Sequence, residues 1–550
     1  MFEPRPPPPS PAPASVHPRH LWLAATFVGV TVAGVFARSL ANGFVNWDDQ
    51  VYILDNAHIR TLSWQTLHWA FTGDYASYWA PAVWLSFALD HAVWGLDPLG
   101  YHLTNVVLHA MNAALVCLLG TNLLAARRSA GRPWEPRRED LAGGVLAALL
   151  FGLHPLRVES VTWVTERKDV LAGLFALTSI LAYLRWVNRR RCGAGSGPVP
   201  VGSLVALALA VCAKPLSVVV LPLLLLLDWH PLGRDSTDRL ARFALEKVPH
   251  ALVCLGAGLL FLRAQQTAMP TPATPQTRLY TACKVLVDYV WMQLWPADLV
   301  PLYPRRPDIP WDSPPHLLAM GILLAVAVLV TWSARRDRVL LAVALWHLIS
   351  LAPVLGLLQV GPQEKADRYT YLASIGLALL VAGACVALWR RWPKAGARTA
   401  LAGATGAVLL VLAGLTVRQI GIWKDGVTLW TRQLEVSPAL GHAWELRGKA
   451  HAAKGELALA ADDLSQAIAI AESKHYARTW ELYWARGIVL SQAGRFDEAV
   501  GALSAALRGA SPAPADLLRR RGEALRAVGR LDEARADQAA ADEVERRRAP

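Results

Sequence analysis

The chain has 550 residues, of which 54% are hydrophobic and 23 are tryptophans, and its formal net charge is +13. With a mean hydropathy of +0.30, this composition excludes an ordinary soluble enzyme and indicates a polytopic membrane protein. The Arg and Lys residues lie in short clusters between apolar runs, so orientation in a membrane explains the positive charge better than nucleic-acid binding, which we do not expect.

Apolar runs predict an all-α membrane domain over residues 21–419, preceded by a Pro-rich cytoplasmic tail at 1–20. A span that crosses roughly 30 Å of hydrocarbon needs about 20 apolar residues. We predict eleven spans, of which some, such as 141–153, are short: 21–39, 104–126, 141–153, 170–187, 200–213, 215–228, 248–263, 316–333, 339–358, 372–389 and 399–417. We predict that the first run is kept as a span and not removed as a signal peptide. The apolar segment 279–297 contains Lys284 and Asp288, and we predict that it lies at the outer interface.

Basic clusters predict the orientation of these spans, because cytoplasmic loops carry an excess of Lys and Arg. Alternate loops contain the clusters, all on the same side as the N-terminus; the loop after the fourth span carries Arg185, Arg189, Arg190 and Arg191. The first opposite loop, 40–103, has Arg60 as its single Arg or Lys residue. We therefore predict an inner-membrane protein with a cytoplasmic N-terminus and with the region after 420 on the periplasmic side.

Residues 420–550 predict a tetratricopeptide-repeat α-solenoid. Three segments share an Arg-Gly pair, a second glycine and later small residues, at 441–474, 480–513 and 515–548. The first glycines, Gly448, Gly487 and Gly522, are 39 and then 35 residues apart, close to the tetratricopeptide period of about 34 residues. Small residues at such positions let two antiparallel helices pack closely.

Charged residues gather at the outer ends of the predicted spans, beginning with the acidic pair Asp48 and Asp49 after the first span. Charges at the ends of spans favour a chemical site at one membrane face over a transport path. A carboxylate there can deprotonate an acceptor hydroxyl, and Lys and Arg can hold a phosphate leaving group. The sequence has no P-loop or G-x-G-x-x-G motif, so it does not indicate a soluble nucleotide donor.

These residues also have structural interpretations. Asp48 or Asp49 can cap a helix, and Glu159, Arg167 and Asp169 can form an ion-pair network without a chemical role. Paired carboxylates can hold a divalent cation, but two adjacent aspartates do not specify one. The sequence therefore leaves the metal requirement open and indicates no other cofactor.

Four strings resemble the transmembrane and tetratricopeptide-repeat-containing proteins, and more closely their bacterial relatives. They are FVNWDDQVYI at 44–53, HPLRVESVTWVTERKDVL at 154–171, AKP at 213–215 and ADRYTYL at 366–372. The resemblance covers nearly the whole chain and implies a type C glycosyltransferase, a multi-span enzyme that takes a sugar from a polyprenyl phosphate on the non-cytoplasmic face. Animal members of the family transfer mannose from dolichyl phosphate to protein Ser or Thr.

The resemblance also implies residue roles and partners. The essential acid of the first outer loop maps onto Asp48 or Asp49, which would act as the base in an inverting transfer. The donor or its phosphate would be bound by His154, Glu159, Arg167, Asp169, Lys214, Arg368 and Tyr369. The implied partners are a polyprenyl-phosphate sugar in the membrane and an acceptor, either a protein or an envelope glycan, that the repeats would present.

Two other functions stay open at this point. One is a polysaccharide ligase or polymerase of the O-antigen ligase type, which also joins spans to repeats but is expected to use a large, basic late outer loop; here the late loop at 359–371 is short. The other is a non-catalytic scaffold in which the spans anchor the repeats. The sequence has three evident repeats, fewer than the animal members, and this leaves the acceptor open.

Overall fold

The computed structural model describes residues 15–547 except 74, 77, 195–196, 235–239, 265–272, 306–307, 358–362 and 393. Most of the predicted N-terminal tail, residues 1–14, therefore lies outside the described residues. The chain divides into two compact units. The first unit consists of Met1–Asn42 and Val51–Gly421, and the second consists of Gly43–Gln50 and Ile422–Pro550.

The first unit is built almost entirely of helices. They are α1 (Pro18–Phe36), α2 (Trp64–Thr72), α3 (Pro81–Trp94), α4 (Pro98–Arg128), α5 (Arg138–Gly152), α6 (Val158–Thr162), α7 (Arg167–Arg191), α8 (Val201–Ala213), α9 (Val220–Trp229), α10 (Leu240–Ala264), α11 (Pro275–Leu294), α12 (Pro314–Ser333), α13 (Val339–Leu351), α14 (Thr370–Arg391) and α15 (Ala395–Ile422). Two short strands, β1 (Tyr303–Pro304) and β2 (Gln363–Lys365), pair antiparallel. The first unit is thus almost entirely α-helical.

Six helical segments of the described chain are long and apolar enough to cross a membrane: Pro18–Ala41, Pro98–Arg128, Val164–Arg191, Pro314–Ser333, Asp367–Arg391 and Ala395–Ile422. A seventh is reached if α5 and the segment Pro155–Thr162, which are bent by 62° relative to each other, form one broken span. Shorter apolar helices lie at Val201–Ala213, Pro215–Trp229 and Val339–Val354, where the sequence predicts further spans. The count of eleven stays a prediction.

Close packing of α4 on α5 depends on a glycine. A Cβ on Gly144 would lie 2.1 Å from Oγ1 of Thr121 and 2.5 Å from the carbonyl oxygen of Cys117. The Thr121 hydroxyl donates a hydrogen bond of 2.8 Å to that same carbonyl. Small residues at a helix interface allow this close backbone approach, which fixes the end of α5 from which the charged segment 154–169 continues.

Ion pairs mark the C-terminal ends of α4, α7, α9 and α14, which we call the inner end because the basic clusters predict it to be cytoplasmic. Arg127 at the end of α4 pairs with Asp337 at 2.5 Å. Arg390 at the end of α14 pairs with Glu139 at the start of α5. A separate group of charges lies at the opposite end of α7 and α14, which we call the outer end.

The second unit consists of α16 (Gly426–Val436) and three helix pairs: α17 (Gly441–Ala453) with α18 (Leu457–Ser473), α19 (Thr479–Gln492) with α20 (Phe496–Gly509), and α21 (Ala515–Ala527) with α22 (Leu531–Arg546). Each predicted repeat contains one of these pairs. A Cβ on Gly487 would lie 2.5 Å from Cγ of Leu503, so the glycine lets α19 lie close to α20. The turns between paired helices contain Gly455, Gly494 and Gly529 at φ values of 77°, 72° and 82°, a region in which glycine lacks the Cβ penalty.

Candidate functional site

A buried, charged segment joins α5 to α7 at the outer end of the first unit. Every residue from 151 to 173 is buried. Pro155 begins a short 3-10 turn, and the ring of His154 caps it by accepting a hydrogen bond of 3.2 Å from the Leu156 amide. Burying charges is costly unless they are paired, so the partners of this segment define the candidate site.

Arg368 is the centre of the site. Its side chain pairs with Glu159, and its backbone amide donates a hydrogen bond of 2.7 Å to the other oxygen of the same carboxylate. Its Nε lies 3.2 Å from Glu166. The guanidinium also lies over the rings of Trp163 and Tyr369, at 5.5 and 5.0 Å from their centres. Arg368 is therefore held on several sides.

Lys214 is the second cation of the site. It lies at the break between α8 and the 3-10 turn that Pro215 begins, and its ammonium group pairs with Asp169. The other oxygen of Asp169 accepts a hydrogen bond of 3.2 Å from Ser160. Lys214 lies 5.9 Å from the centre of the Tyr369 ring, so Tyr369 contacts both principal cations.

The outer charge cluster is the set Glu159, Glu166, Lys168, Asp169, Lys214 and Arg368, which balances three carboxylates against three cations. The resemblance pointed to Glu159, Asp169, Lys214 and Arg368, and the structure brings these four residues together. It adds Glu166 and Lys168, which the site prediction missed although both lie in the quoted string 154–171. Lys168 pairs with Glu166 at 3.1 Å and lies 5.4 Å from the ring centre of Tyr52.

A narrow cleft of about 60 Å³ opens beside this cluster. Its charged lining residues are Asp169, Lys214 and Arg368, and Tyr369 lies with them. The rest of the wall is mostly apolar and comes from α7, α14, the turn after Lys214 and the turn after α13: Ala172, Gly173, Leu216, Val219, Pro353, Val354 and Leu372. The cleft thus has a charged end and an apolar wall.

Arg167 and His154 do not line the cleft. The Arg167 guanidinium is buried, pairs with Asp90 of α3 at 2.5 Å, and donates hydrogen bonds to Asn105 Oδ1 at 2.8 Å and to the Tyr101 carbonyl at 2.9 Å. These bonds tie α7 to α3 and α4. The other ring nitrogen of His154 lies 3.0 Å from the carbonyl oxygen of Gln293. Both residues thus have structural partners, and no sequence pattern indicates that Asp90 is one of them.

The antiparallel pair of β1 and β2 holds the segment just before Arg368. Asp288 of α11 lies 2.6 Å from both Lys284 and Lys365. Burial would raise the pKa of the Asp288 carboxyl, but these ammonium groups hold the pKa below its ordinary value. Tyr303 donates a hydrogen bond of 2.8 Å to Asp367, and burial together with that carboxylate raises the pKa of Tyr303 well above its ordinary value.

Asp48 and Asp49 belong to the second unit, with the segment Gly43–Gln50. Asp49 is buried, and its carboxylate accepts a hydrogen bond of 3.0 Å from the Val45 amide. Asn46 accepts a hydrogen bond of 3.1 Å from the Trp430 indole and donates one of 2.7 Å to the Leu446 carbonyl. The helices after residue 422 therefore hold the segment that carries the acidic pair.

No group of three or more His, Cys, Asp or Glu side chains in the described part of the chain is arranged to hold a metal ion.

Comparisons with known proteins agree with the motifs. No protein-family profile matches the chain. Protein O-mannosyl-transferase Tmtc1 of Drosophila melanogaster is 30% identical over 300 residues, which cover 48% of this chain and 32% of the fly protein. Protein O-mannosyl-transferase TMTC4 of Homo sapiens is 24% identical over 489 residues, which cover 78% of this chain and 64% of the human protein. The chain thus spans less than two thirds of the length of these relatives.

Among solved structures, the crystal structure of ArnT from Cupriavidus metallidurans bound to undecaprenyl phosphate has 17% sequence identity and a TM-score of 0.32, over 78% of this chain and 81% of that one. A TM-score this low does not establish a shared fold. The sequence comparisons confirm the resemblance seen in the motifs: this chain is a relative of the transmembrane and tetratricopeptide-repeat-containing O-mannosyl-transferases.

Proposed function

We propose that this protein is a type C glycosyltransferase of the inner membrane. It moves a mannose-like sugar from a polyprenyl-phosphate donor to an acceptor hydroxyl, on a protein Ser or Thr or on an envelope glycan, at the non-cytoplasmic face. The main support for the proposal is the cleft, in which Lys214 and Arg368 lie at one end of an apolar wall. The sequence similarity to O-mannosyl-transferases supports the same reaction class.

The cleft suits an amphipathic donor. A polyprenyl phosphate has one charged group joined to a hydrocarbon chain, and the cleft offers two cations beside apolar side chains. Arg can hold a phosphate with paired donors, and Lys can hold it as a point charge. Lys214 and Arg368 would therefore bind the phosphate, and Tyr369 would keep the two cations in position.

The carboxylates around these cations are consistent with that role. Glu159 and Glu166 fix Arg368, and Asp169 fixes Lys214. Cations that are already held in place need little reorganisation when charge develops on a leaving group, and this kind of preorganised electrostatics is a major source of catalysis. The two cations would stabilise the oxygen that leaves the sugar.

The acidic pair supplies the proposed base. A carboxylate of Asp48 or Asp49 accepts the proton of the acceptor hydroxyl as its oxygen attacks the anomeric carbon of the sugar. The bond between that carbon and the phosphate oxygen breaks, and its electron pair leaves with the polyprenyl phosphate. Attack opposite the leaving group inverts the configuration at the anomeric carbon.

The test is transfer by the full-length protein in proteoliposomes. Radiolabelled polyprenyl-phosphate mannose serves as donor, and an envelope fraction from cells that lack the protein serves as acceptor. We expect Lys214→Gln to raise the KM for the donor, and the double variant Asp48→Asn, Asp49→Asn to abolish turnover while the protein stays folded. Lys284→Gln removes an outer-end cation that does not line the cleft and should leave the donor KM unchanged. Full turnover by the double variant, or no consumption of donor by the wild-type chain, contradicts the proposal.

A further inference from the structure

The inner end of the first unit contains a second built cluster of charges, separate from the outer charge cluster. Around the end of α7 lies a pocket of about 190 Å³ lined by Trp186, Val187, Arg190, Arg191 and Arg234. We call it the inner basic pocket. Three of the five described residues that line it are arginines, and none of these five carries a negative charge.

Buried carboxylates hold two of these arginines in place. Glu246 of α10 is buried, and it accepts hydrogen bonds of 3.2 Å from Arg190 and 2.8 Å from Arg234. Arg234 also lies 3.2 Å from Asp228 of α9, which is buried as well. Their guanidinium groups therefore have fixed positions, unlike those of mobile surface arginines.

Further contacts neutralise the Asp228 carboxylate. The Tyr183 hydroxyl lies 2.7 and 2.8 Å from the two oxygens of Asp228, and the Lys247 ammonium lies 2.7 Å from the same carboxylate. Among the described residues, the cluster thus has four cations, Lys247 and the three arginines, against the two carboxylates Asp228 and Glu246. The described part of the cluster therefore has a surplus of two positive charges, and the arginines that line the pocket carry it.

Arg191 is the least satisfied member of the cluster. Its Nη2 donates a hydrogen bond of 2.5 Å to the Leu232 carbonyl, whereas its Nη1 is buried and has no hydrogen-bond partner among the described residues. A buried donor of a charged group without an acceptor is costly. An anion in the pocket would provide that acceptor and would also offset the repulsion between Arg191 and Arg234.

We propose that the inner basic pocket binds the phosphate group of an anionic phospholipid headgroup. The pocket lies at the end of the helices that the basic clusters predict to be cytoplasmic, and basic pockets between membrane helices on that side suit anionic headgroups. Trp186 forms its wall, with the Arg190 and Arg234 guanidinium groups 4.8 and 5.6 Å from its ring centre. Tryptophan favours the headgroup level of a bilayer, so the pocket lies where a lipid phosphate is available.

The test measures lipid binding by the full-length protein in a neutral detergent. The probes are dioctanoyl phosphatidylglycerol, its phosphocholine counterpart and inorganic phosphate, and Kd is measured by native mass spectrometry and by thermophoresis. Two variants with the same charge change are compared: Arg190→Gln with Arg191→Gln in the pocket, and Arg185→Gln with Arg189→Gln on the same helix but outside it. The conservative variant Arg190→Lys with Arg191→Lys and the melting temperature of each protein control for folding.

The wild-type chain is expected to bind phosphatidylglycerol about thirtyfold more tightly than the phosphocholine lipid, as two extra cation contacts imply. The pocket variant should lose that preference, whereas the outside variant and the lysine variant should keep most of it. Equal losses in the pocket and outside variants overturn the proposal, because they would mean that helix-end charge acts without a pocket. Inorganic phosphate that binds as tightly as the lipid overturns the lipid assignment.

Discussion

The hydrogen bond between Trp430 and Asn46 gives a direct test of whether the second unit positions the acidic pair. Trp430 is buried, its indole donates to Asn46 at 3.1 Å, and its ring packs edge to face on Trp47 at 5.3 Å. Trp430→Phe keeps an aromatic ring at this position but removes the donor. Asn46 lies two residues before Asp48, so the change loosens the segment that carries the proposed base.

The expected effect follows from this one bond. A typical hydrogen bond contributes about 0.5–1.5 kcal/mol, and leaving its partner unsatisfied in a partly buried place brings the cost to about 1–2 kcal/mol. If the acidic pair is in place for catalysis only when the Trp430 hydrogen bond holds the segment Gly43–Gln50, this cost in free energy lowers kcat. A cost of about 1–2 kcal/mol corresponds to a decrease of about fivefold to thirtyfold. The KM for the donor should not change, because the cleft is lined by residues of the first unit alone.

The assay is the proteoliposome transfer reaction, with kcat and donor KM measured separately. Trp444→Phe is a matched control, because the Trp444 indole donates a hydrogen bond of 2.8 Å to the Pro438 carbonyl in the same unit and not to the acidic segment. Trp430→Phe should lower kcat, and Trp444→Phe should leave it unchanged. A wild-type kcat in both variants would show that the Trp430 hydrogen bond does not position the acidic pair. A raised donor KM with an unchanged kcat in Trp430→Phe would show the same.

Three further predictions concern stability. Arg167→Met should lower the melting temperature sharply, because it breaks a buried ion pair and leaves the Asp90 charge uncompensated. The expected cost is about 3–5 kcal/mol. An unchanged melting temperature with a raised donor KM would instead favour a role in donor binding. Arg486 Nε is buried without a hydrogen-bond partner among the described residues, and a carboxylate introduced by Ala502→Asp would provide one. This variant should stabilise the second unit against urea by about 1 kcal/mol. A destabilised variant would contradict this. The pKa of the Asp288 carboxyl is lower in the folded chain than in the unfolded chain, so its ion pairs stabilise the fold at pH values above the ordinary carboxyl pKa. That contribution is lost as the pH falls below about 4. Asp288→Asn should remove this part of the acid unfolding transition, which tryptophan fluorescence measures.

The three helix pairs of the second unit differ at one ion-pair position, which is residue 502 in the middle pair. Arg447 forms a two-bond pair with Asp463, at 2.8 Å for each bond, and Arg521 pairs in the same way with Asp537, at 2.7 and 2.6 Å. Each partner lies sixteen positions after its arginine, where the middle pair has Ala502 instead of an acid. Asp463→Ala is the matched control, and it should destabilise the unit by a similar amount.

Much of the outer charge cluster could be predicted because its residues lie at the ends of strongly apolar runs. Runs that cross a membrane must end at one of two faces, and alternating basic loops assign each end to a face. Glu159, Asp169, Lys214 and Arg368 all lie at the same predicted face, and the structure brings them together. The sequence could not show how each charge is partnered, because side-chain pairing depends on helix rotation and packing.

Two long-range contacts of the structure have no counterpart in any sequence pattern. Asp90 lies inside the apolar helix α3, and nothing in its neighbourhood indicates that it pairs with Arg167 of α7. The segment Gly43–Gln50 follows the first span closely, yet it packs with helices that begin some 380 residues later, as the bond between Asn46 and Trp430 illustrates. Long-range contacts of this kind leave no periodic signal in either segment.

The balance of charge in the outer cluster bears on how the proposed enzyme would favour reaction over tight substrate binding. A donor phosphodiester carries one negative charge, whereas the polyprenyl phosphate that leaves carries about 1.5 to 2 at neutral pH. Asp169 competes with either phosphate for Lys214, and Glu159 competes for Arg368, so the carboxylates weaken the binding of the donor. Charge that develops on the leaving oxygen gains more from the same two cations, because the attraction grows with that charge while the competition stays constant. A neutral cluster would thus stabilise the transition state more than the ground state, which is the difference that raises kcat.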